Sequence, residues 1–199
     1  MTFAGVRYVA LGDSYTIGTS VEEADRFPNQ LVGRSVGLEL VANLGVNGYS
    51  SAQLIDRELP QLDGLDPDFV TVLIGVNDVV RGVSADTYRA NMNEIFDFLL
   101  ERLPANRIVV VSTPDYTLTP AGASFGDPLQ QRAEIASFNA IEQDTAESRG
   151  ITFVDISGVA NLVPEDPELV AYDGLHPSGK QYSSWVALIA PVVEELLAQ

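Results

Sequence analysis

A serine, an aspartate and a histidine in this chain have the types and the spacing that acyl transfer requires. Ser14 closes a Gly-Asp-Ser tripeptide near the start of the sequence, and His176 is the only histidine in the chain. A serine hydroxyl becomes a good nucleophile when a neighbouring base takes its proton, and an imidazole with a pKa near ~6.5 suits that task at neutral pH. Asp173 stands three residues before His176, and a short turn of that spacing can aim its carboxylate at the imidazole Nδ1.

Two further positions are candidates for stabilising the negative oxygen that acyl transfer creates. Gly48 ends the segment Asn-Leu-Gly-Val-Asn-Gly, and Asn77 lies in the segment Gly-Val-Asn-Asp. A glycine lets the backbone approach a reacting atom closely, and a neutral side-chain amide donates hydrogen bonds without taking a proton from the base. Gly45 lies in the same segment as Gly48 and is an alternative for the glycine.

Apolar runs that alternate with amphipathic stretches predict the elements that must carry these residues. Continuous β-branched runs indicate buried strands, and apolar residues three and four positions apart indicate helices. The predicted strands are Val6–Leu11, Leu38–Leu44, Phe69–Ile74, Ile108–Val111 and Ile151–Ile156. The predicted helices begin at Phe27, run from Ser51 to Leu62, follow a Ser84 cap, run from Leu129 to Arg149, and start near Ser178 with a kink or restart at Pro191.

The order of these elements predicts the architecture. Strands that alternate with helices pair in parallel through right-handed crossovers, and strands that are apolar on both faces are covered on both sides. We therefore expect residues 1–199 to form a single domain, an α/β/α sandwich of three layers with a five-stranded parallel sheet. Ligands bind such sheets outside the carboxyl ends of the strands, and the candidate residues all follow predicted strands.

The composition is typical of an acidic globular protein. Its 199 residues carry a net charge of −17 with a single lysine, and 46% of them are hydrophobic. This charge reflects a highly soluble surface or adaptation to high salt, and it makes nucleic acids and anionic membranes unexpected partners. The chain has no cysteine, which excludes disulfides and thiolate chemistry. Without an apolar span or a signal peptide, a cytoplasmic location is expected, with a secreted mature form as the alternative.

Four segments resemble the blocks that define the SGNH hydrolases, also called GDSL-type esterases. They are Gly-Asp-Ser-Tyr at 12–15, Asn-Leu-Gly-Val-Asn-Gly at 43–48, Gly-Val-Asn-Asp at 75–78 and Asp-Gly-Leu-His at 173–176. Each segment alone is a weak signal, but the four occur in the family's order and span almost the whole chain. The first block ends in Tyr15 where leucine is commoner, which changes a neighbour of the serine and not the serine itself.

The resemblance implies a flavodoxin-like SGNH fold and a serine esterase that works through an acyl-enzyme. It assigns the nucleophile to Ser14, the base to His176 and the orientation of that base to Asp173. It assigns the oxyanion hole to the backbone N–H groups of Ser14 and Gly48 and to the side-chain amide of Asn77. The family includes carboxylesterases, thioesterases, lysophospholipases, carbohydrate deacetylases and acyltransferases. We expect a small-molecule ester of a short-chain or acetyl group as the substrate.

Structural roles are the alternatives for the same residues. They are a helix N-cap for Ser14, turn residues for Asp173 and Asn77, and loop residues for Gly48 and His176. The neighbouring acids Asp13 and Asp78 are interpreted as structural, with hydrogen bonds to loop backbone. The loop 114–127 is either a lip or lid over an acyl chain or a solvated connection.

A flavin-binding module is the second hypothesis for the whole chain. Residues 12–20 are rich in Ser, Thr and Gly and open a helix after the first strand, where a flavodoxin-like fold holds a flavin phosphate. Such a site has no need of the Asp-Gly-Leu-His segment. Because no dinucleotide or triphosphate motif and no metal-ligand spacing occurs, we expect no cofactor and no metal ion.

Overall fold

Five parallel strands form the centre of the molecule. A computed structural model describes residues 5–35 and 37–199. The strands are β1 (Val6–Gly12), β2 (Leu38–Asn43), β3 (Phe69–Leu73), β4 (Ile108–Val111) and β5 (Thr152–Val154). They lie in the order β2-β1-β3-β4-β5, and every neighbouring pair is parallel. The predicted sheet is therefore confirmed, with β5 three residues long and shorter than expected.

Helices cover both faces of the sheet. They are α1 (Ser14–Ile17), α2 (Phe27–Arg34), α3 (Ser51–Arg57), α4 (Leu62–Leu65), α5 (Val76–Val80), α6 (Ala85–Leu100), α7 (Pro128–Glu147), α8 (Ser157–Ala160) and α9 (Gly179–Leu197). The β1-to-β2 connection runs one way along the sheet and the later connections run the other way, so right-handed crossovers put α2 opposite α3, α6 and α7. Helix α9 packs beside α2, and α6 packs between α3 and α7. This is the predicted three-layer sandwich.

A serine side chain caps the N-terminus of each of two long helices, and the cap at Ser84 confirms the prediction. The Ser84 Oγ accepts a hydrogen bond from the Thr87 N–H at 3.1 Å, and the Ser178 Oγ accepts one from the Gln181 N–H at 3.3 Å. These bonds satisfy N–H groups that have no partner in the first helical turn.

The helix predicted over 51–62 is wrong in detail, and of the two outcomes predicted at Pro191, a kink or a restart, the restart does not occur. The stretch 51–62 does not form one helix, because α3 gives way to a 3-10 turn at Leu59–Gln61 before α4. Pro60 lacks an N–H and its ring clashes with the preceding turn, which explains the interruption. Helix α9 runs through Pro191 as one element, so the helix does not restart there.

The strand order creates a crevice at the carboxyl ends of β1 and β3. The chain leaves these two neighbouring strands in opposite directions, and the loops after them therefore separate. Helix α1 begins with Ser14 directly after β1, and α5 follows β3 with Asn77 in its first turn. Within the described ranges 5–35 and 37–199, no helix is both long and apolar enough to span a bilayer.

Candidate active site

Ser14 lies at a tight turn between β1 and α1. A Cβ atom added to Gly12 would lie 2.1 Å from the Leu73 carbonyl oxygen, so a side chain there would push β1 away from β3. Asp13 caps α1, since its Oδ1 accepts a hydrogen bond from the Tyr15 N–H at 2.9 Å. The turn places Ser14 as the first residue of α1, with 8% of its surface exposed.

A pocket of about 180 Å³ brings the candidate residues together. Its polar wall consists of Ser14, Asn47, Gly48, Asn77 and His176. Its apolar wall includes Val76, Val80, Tyr116, Phe125 and Leu175. The structure thus gathers residues from five segments that are far apart in sequence, one after each strand.

Asp173 lies behind His176 and holds its imidazole. The His176 Nδ1 is 2.6 Å from the Asp173 Oδ2. The other oxygen, Oδ1, accepts hydrogen bonds from the backbone N–H groups of Leu175 at 2.9 Å and His176 at 3.0 Å. Partial burial raises the pKa of Asp173, but hydrogen bonds from Ser20, His176 and Leu175 outweigh it and hold that pKa well below its ordinary value. Asp173 is therefore a carboxylate at neutral pH.

Ser14 and His176 face the same pocket without a direct hydrogen bond between their side chains in the described part of the chain. Because Nδ1 is held by Asp173, Nε2 is the ring nitrogen left to act as a base. The Tyr15 ring packs edge-on against the imidazole with 5.9 Å between ring centroids, which limits its rotation. Hydrogen bonds between a nucleophile and its base often tighten only once substrate is bound.

Gly48, and not Gly45, lines the pocket. A Cβ atom on Gly45 would lie 2.6 Å from the Ile17 backbone nitrogen, so Gly45 serves the close packing of its loop against α1. Among the described residues, the backbone N–H groups of Ser14 and Gly48 have no hydrogen-bond acceptor. Both residues line the pocket, and neither N–H group is used by another part of the described structure.

The Asn77 amide is held at the same wall. Its Nδ2 donates to the Tyr49 carbonyl oxygen at 2.9 Å, and it is 3.4 Å from the Asp13 Oδ2. The second contact is long, so one proton of the amide is weakly used. Burial, with a smaller contribution from the Asp78 charge, raises the pKa of Asp13 to about 7.

The GDSL-like lipase/acylhydrolase family model matches residues 10–183 of this sequence. The chain belongs to this family. Membership makes the protein a GDSL-type hydrolase of carboxylic esters and confirms the resemblance that the four sequence blocks indicated.

Relatives of known activity or structure agree with this assignment. The sequence is 27% identical to an acetylxylan esterase of Geobacillus stearothermophilus, over 75% of this chain and 69% of that protein. A crystal structure of an acetylxylan esterase from that organism superposes with a TM-score of 0.73 at 21% identity, covering 96% of this chain and 94% of that one. An α/β hydrolase enzyme from the metagenome of Lake Arreo, Spain, superposes with a TM-score of 0.75 at 21% identity over 98% of both chains.

Two side chains hold the loops that carry Gly48 and Asn77 in this GDSL-type hydrolase: Arg81, which the sequence did not single out, and Asp78, which was interpreted as structural. Arg81 donates to the Gly48 carbonyl oxygen at 2.6 Å through Nη2 and to the Gln53 Oε1 at 2.7 Å through Nη1. Asp78 accepts hydrogen bonds from the Ser51 N–H at 2.8 Å and from the Ser51 hydroxyl at 2.5 Å. Together these bonds fix the loops that carry Gly48 and Asn77.

The loop 114–127 forms part of the pocket's apolar wall. The rings of Tyr116 and Phe125 meet edge-to-face with 5.8 Å between centroids, and both line the pocket. Tyr116 is buried and Phe125 is 40% exposed. Two aromatic residues in a loop of Thr, Pro, Gly and Ala were the signal in the sequence for such a wall.

A buried acid supports the turn that carries Ser14. The fully buried Glu58 accepts a hydrogen bond from the Gly12 N–H at 2.8 Å through Oε2, and Oε1 has no partner among the described residues. Burial, followed by the nearby Asp13 charge, raises the pKa of Glu58 from 4.5 to about 9. Glu58 is therefore protonated in the folded protein at neutral pH.

We expect Glu58→Gln to stabilise this hydrolase at alkaline pH and to change little near pH 5. In the wild type the folded state holds a proton that the unfolded state loses above pH 4.5, so stability falls as pH rises towards 9. The fall is on the order of 1.4 kcal/mol per pH unit for this group. Urea unfolding across this range measures it, with the exposed Glu94→Gln as the control. An equal pH dependence in Glu58→Gln and wild type would contradict the assignment.

Proposed function

We propose that this protein is a serine esterase in which Ser14 is the nucleophile, His176 the base and Asp173 the residue that orients the base. The observation that carries the proposal is the bond of 2.6 Å between the His176 Nδ1 and the Asp173 Oδ2, at a pocket that also contains Ser14. An aspartate that binds Nδ1 fixes the tautomer whose Nε2 accepts a proton, and it stabilises the imidazolium that then forms.

The reaction proceeds in two halves with a covalent intermediate. The Ser14 Oγ attacks the carbonyl carbon of the ester while the His176 Nε2 takes the hydroxyl proton. As the tetrahedral intermediate collapses, the imidazolium gives this proton to the leaving alcohol and an acyl-serine remains. Water then attacks the acyl carbon with His176 again as base, and the carboxylic acid leaves as the proton returns to Ser14.

The oxyanion of both tetrahedral intermediates binds to three donors in this proposal. The unpartnered backbone N–H groups of Ser14 and Gly48 supply two of them in the described structure. Asn77 supplies the third, because its long contact of 3.4 Å to Asp13 is readily exchanged for a shorter bond to a charged oxygen. Donors already in place stabilise developing charge without reorganisation during the reaction.

Catalytic mutants of the acetylxylan esterase from Geobacillus stearothermophilus support these roles. Its solved structures include replacements of a serine, an aspartate and a histidine that are described as catalytic, and the histidine follows the aspartate by three positions. The spacing of Asp173 and His176 in this chain is the same.

The pocket favours a small acyl group. Its volume of about 180 Å³ lies below the ~300–1,000 Å³ of pockets that bury drug-sized ligands. An acetyl or short-chain group fits against the apolar wall formed by residues such as Val76 and Tyr116. The acetylxylan esterase relative is consistent with acetyl esters as a substrate class.

A fluorophosphonate probe and a panel of esters test the proposal. We expect the probe to modify Ser14, which peptide mass spectrometry would identify, and to abolish hydrolysis. Nitrophenyl acetate and butyrate should be cleaved faster than octanoate, and acetylated sugars and acyl thioesters would define the leaving group. Labelling at another residue, with hydrolysis lost all the same, would overturn the assignment of Ser14.

Asn77→Ala is expected to lower kcat by about a hundredfold or more with a smaller change in KM. The amide acts on the charged oxygen of the intermediate, which is absent from the bound ester. Steady-state kinetics on a short-chain nitrophenyl ester measure the effect. Asn161→Ala, at an exposed asparagine directly after α8, is the matched control. A larger change in KM than in kcat would place Asn77 in substrate binding.

The flavin-binding hypothesis has less support. The matched family consists of lipases and acylhydrolases, and the pocket at the β1–β3 crevice contains the histidine that a flavin site does not require. Visible absorption from bound flavin in the purified protein would revive the hypothesis.

A further inference from the structure

Ser20 contacts the carboxylate that orients the histidine. Its Oγ donates a hydrogen bond of 2.6 Å to the Asp173 Oδ2, the same oxygen that binds the His176 Nδ1. The other oxygen accepts two backbone N–H groups. A carboxylate has about four positions for accepting hydrogen bonds, so Ser20 fills the last one. The contact joins residues 153 positions apart in the sequence.

The backbone of Ser20 is strained. Its φ is +69°, and among the described residues other than glycine only Asp66 shares a positive φ. An L-residue in this region pays an energetic penalty that neighbouring contacts must offset, and such positions are concentrated at functional sites. Asp66 ends α4 and is outside the pocket. It therefore serves as a control that has the backbone strain of Ser20 but no contact with the pocket.

The residue before Ser20 binds the other side of the pocket. The Thr19 hydroxyl donates to the Asn47 Oδ1 at 2.5 Å, next to Gly48. The backbone N–H groups of Gly18 and Thr19 both donate to the Ser14 carbonyl oxygen, at 3.1 and 3.0 Å. This short segment is therefore anchored to the backbone of Ser14 and reaches the loops on both sides of it.

We propose that Ser20 is a positioning residue for the base. It holds Asp173 in the orientation that points the His176 Nε2 towards Ser14, and its hydrogen bond draws negative charge away from the oxygen that faces the imidazole. This inference rests on the proposed esterase function. It predicts that loss of the Ser20 hydroxyl both loosens the imidazole and makes it easier to protonate, since the full carboxylate charge then faces Nδ1.

Other ionisable groups lie near His176, and their own titration has to be separated from that of the imidazole. Tyr15 from α1 packs against the imidazole, and burial holds its pKa well above its ordinary value. Tyr116 from the 114–127 loop lines the same pocket, and burial raises its pKa to about 12. Asp13, with a pKa of about 7, lies beyond Asn77. Because Asp13 is present in every variant below, differences between variants report on the Asp173–His176 pair.

The test exploits the single histidine of the chain. The imidazole Cε1–H signal in an NMR pH titration belongs to His176 without further assignment, and it is independent of catalysis. We expect Ser20→Ala and Ser20→Gly to raise the titration midpoint and the acidic limb of kcat/KM by about half a pH unit. We expect both to lower kcat/KM by about tenfold. Ser20→Thr keeps the hydroxyl and should show the wild-type midpoint, although its β-branched side chain should lower stability at this φ.

A second readout separates the hydrogen bond from the backbone strain. Glycine tolerates the positive φ and alanine does not, so Ser20→Gly should unfold at a temperature about 3 °C higher than Ser20→Ala. The control Asp66→Gly should gain stability in the same way and keep the wild-type titration and activity. Wild-type titration midpoints in both Ser20→Ala and Ser20→Gly would overturn the inference. A wild-type protein that fails to react with fluorophosphonate at Ser14 would instead overturn the esterase assignment, with the titration result unaffected.

Discussion

Ser14→Ala is expected to lower the turnover of a short-chain ester by about six orders of magnitude, and His176→Ala by a similar amount. Without the hydroxyl no acyl-enzyme forms, and without the imidazole the hydroxyl keeps its proton and remains a poor nucleophile. The oxyanion donors and the pocket survive both changes, so a small residual rate above that in water should remain.

A variant that combines Ser14→Ala and His176→Ala tests whether the two residues act in one step or contribute to the rate independently. Since the serine and the histidine act in one step, removing both should cost about as much as removing either one. Kinetics on nitrophenyl acetate with freshly purified variants measure the three rates. Ser124→Ala, an exposed serine beside Phe125, is the matched control and should keep the wild-type rate. Near wild-type activity in His176→Ala would refute the mechanism.

Asp173→Asn is expected to lower kcat by about four orders of magnitude at neutral pH. The carboxylate accepts the Nδ1–H of His176 at 2.6 Å, whereas an asparagine amide can present an N–H to Nδ1 and favour the wrong tautomer. It also removes the charge that stabilises the imidazolium. Both effects act when the imidazole takes the serine proton, so both lower kcat/KM. Steady-state kinetics over a range of pH measure the combined loss.

Asp144→Asn provides the control for Asp173→Asn. Asp144 is an exposed aspartate on α7, and its replacement removes the same charge far from the pocket. We expect its kinetics to match the wild type. A loss of less than about tenfold in Asp173→Asn would show that backbone contacts and Tyr15 are sufficient to orient His176.

The pattern of apolar residues was sufficient to predict the sheet. The runs at β1, β3 and β4 are apolar on both faces, which occurs in parallel sheets covered by helices on both sides. Errors arose at element ends and near Pro60. The break near Pro60 depends on local backbone geometry, while the continuity of α9 through Pro191 depends on packing that sustains a helix despite a missing hydrogen bond.

The sequence was sufficient to locate the candidate site because chemistry and strand order agree. Polar blocks directly after strands must meet at the carboxyl edge of a parallel sheet, and Ser14, Gly48, Asn77 and His176 all line one pocket. The position of Gly48 at the end of the segment 43–48 favoured it over Gly45, and Gly48 is the glycine that lines the pocket.

Contacts between distant loops could be decided only by the tertiary structure. Nothing in the sequence near Ser20 or Glu58 indicates that one binds Asp173 and the other binds the Gly12 N–H. Such bonds form only when segments that are separate along the chain are positioned to within a few tenths of an ångström. The same holds for the width of the pocket, which Tyr116 and Phe125 set from a loop without periodicity.

The sequence by itself determined the parallel sheet, the edge at which the candidate residues meet and the residue types available there, because hydrophobic periodicity and the order of elements along the chain can be read from the sequence. The tertiary structure decided which hydrogen bonds the Asp173 carboxylate accepts, why Glu58 keeps its proton and how small the pocket is. These depend on burial and on contacts between segments far apart in the chain, which become defined only when the chain is packed.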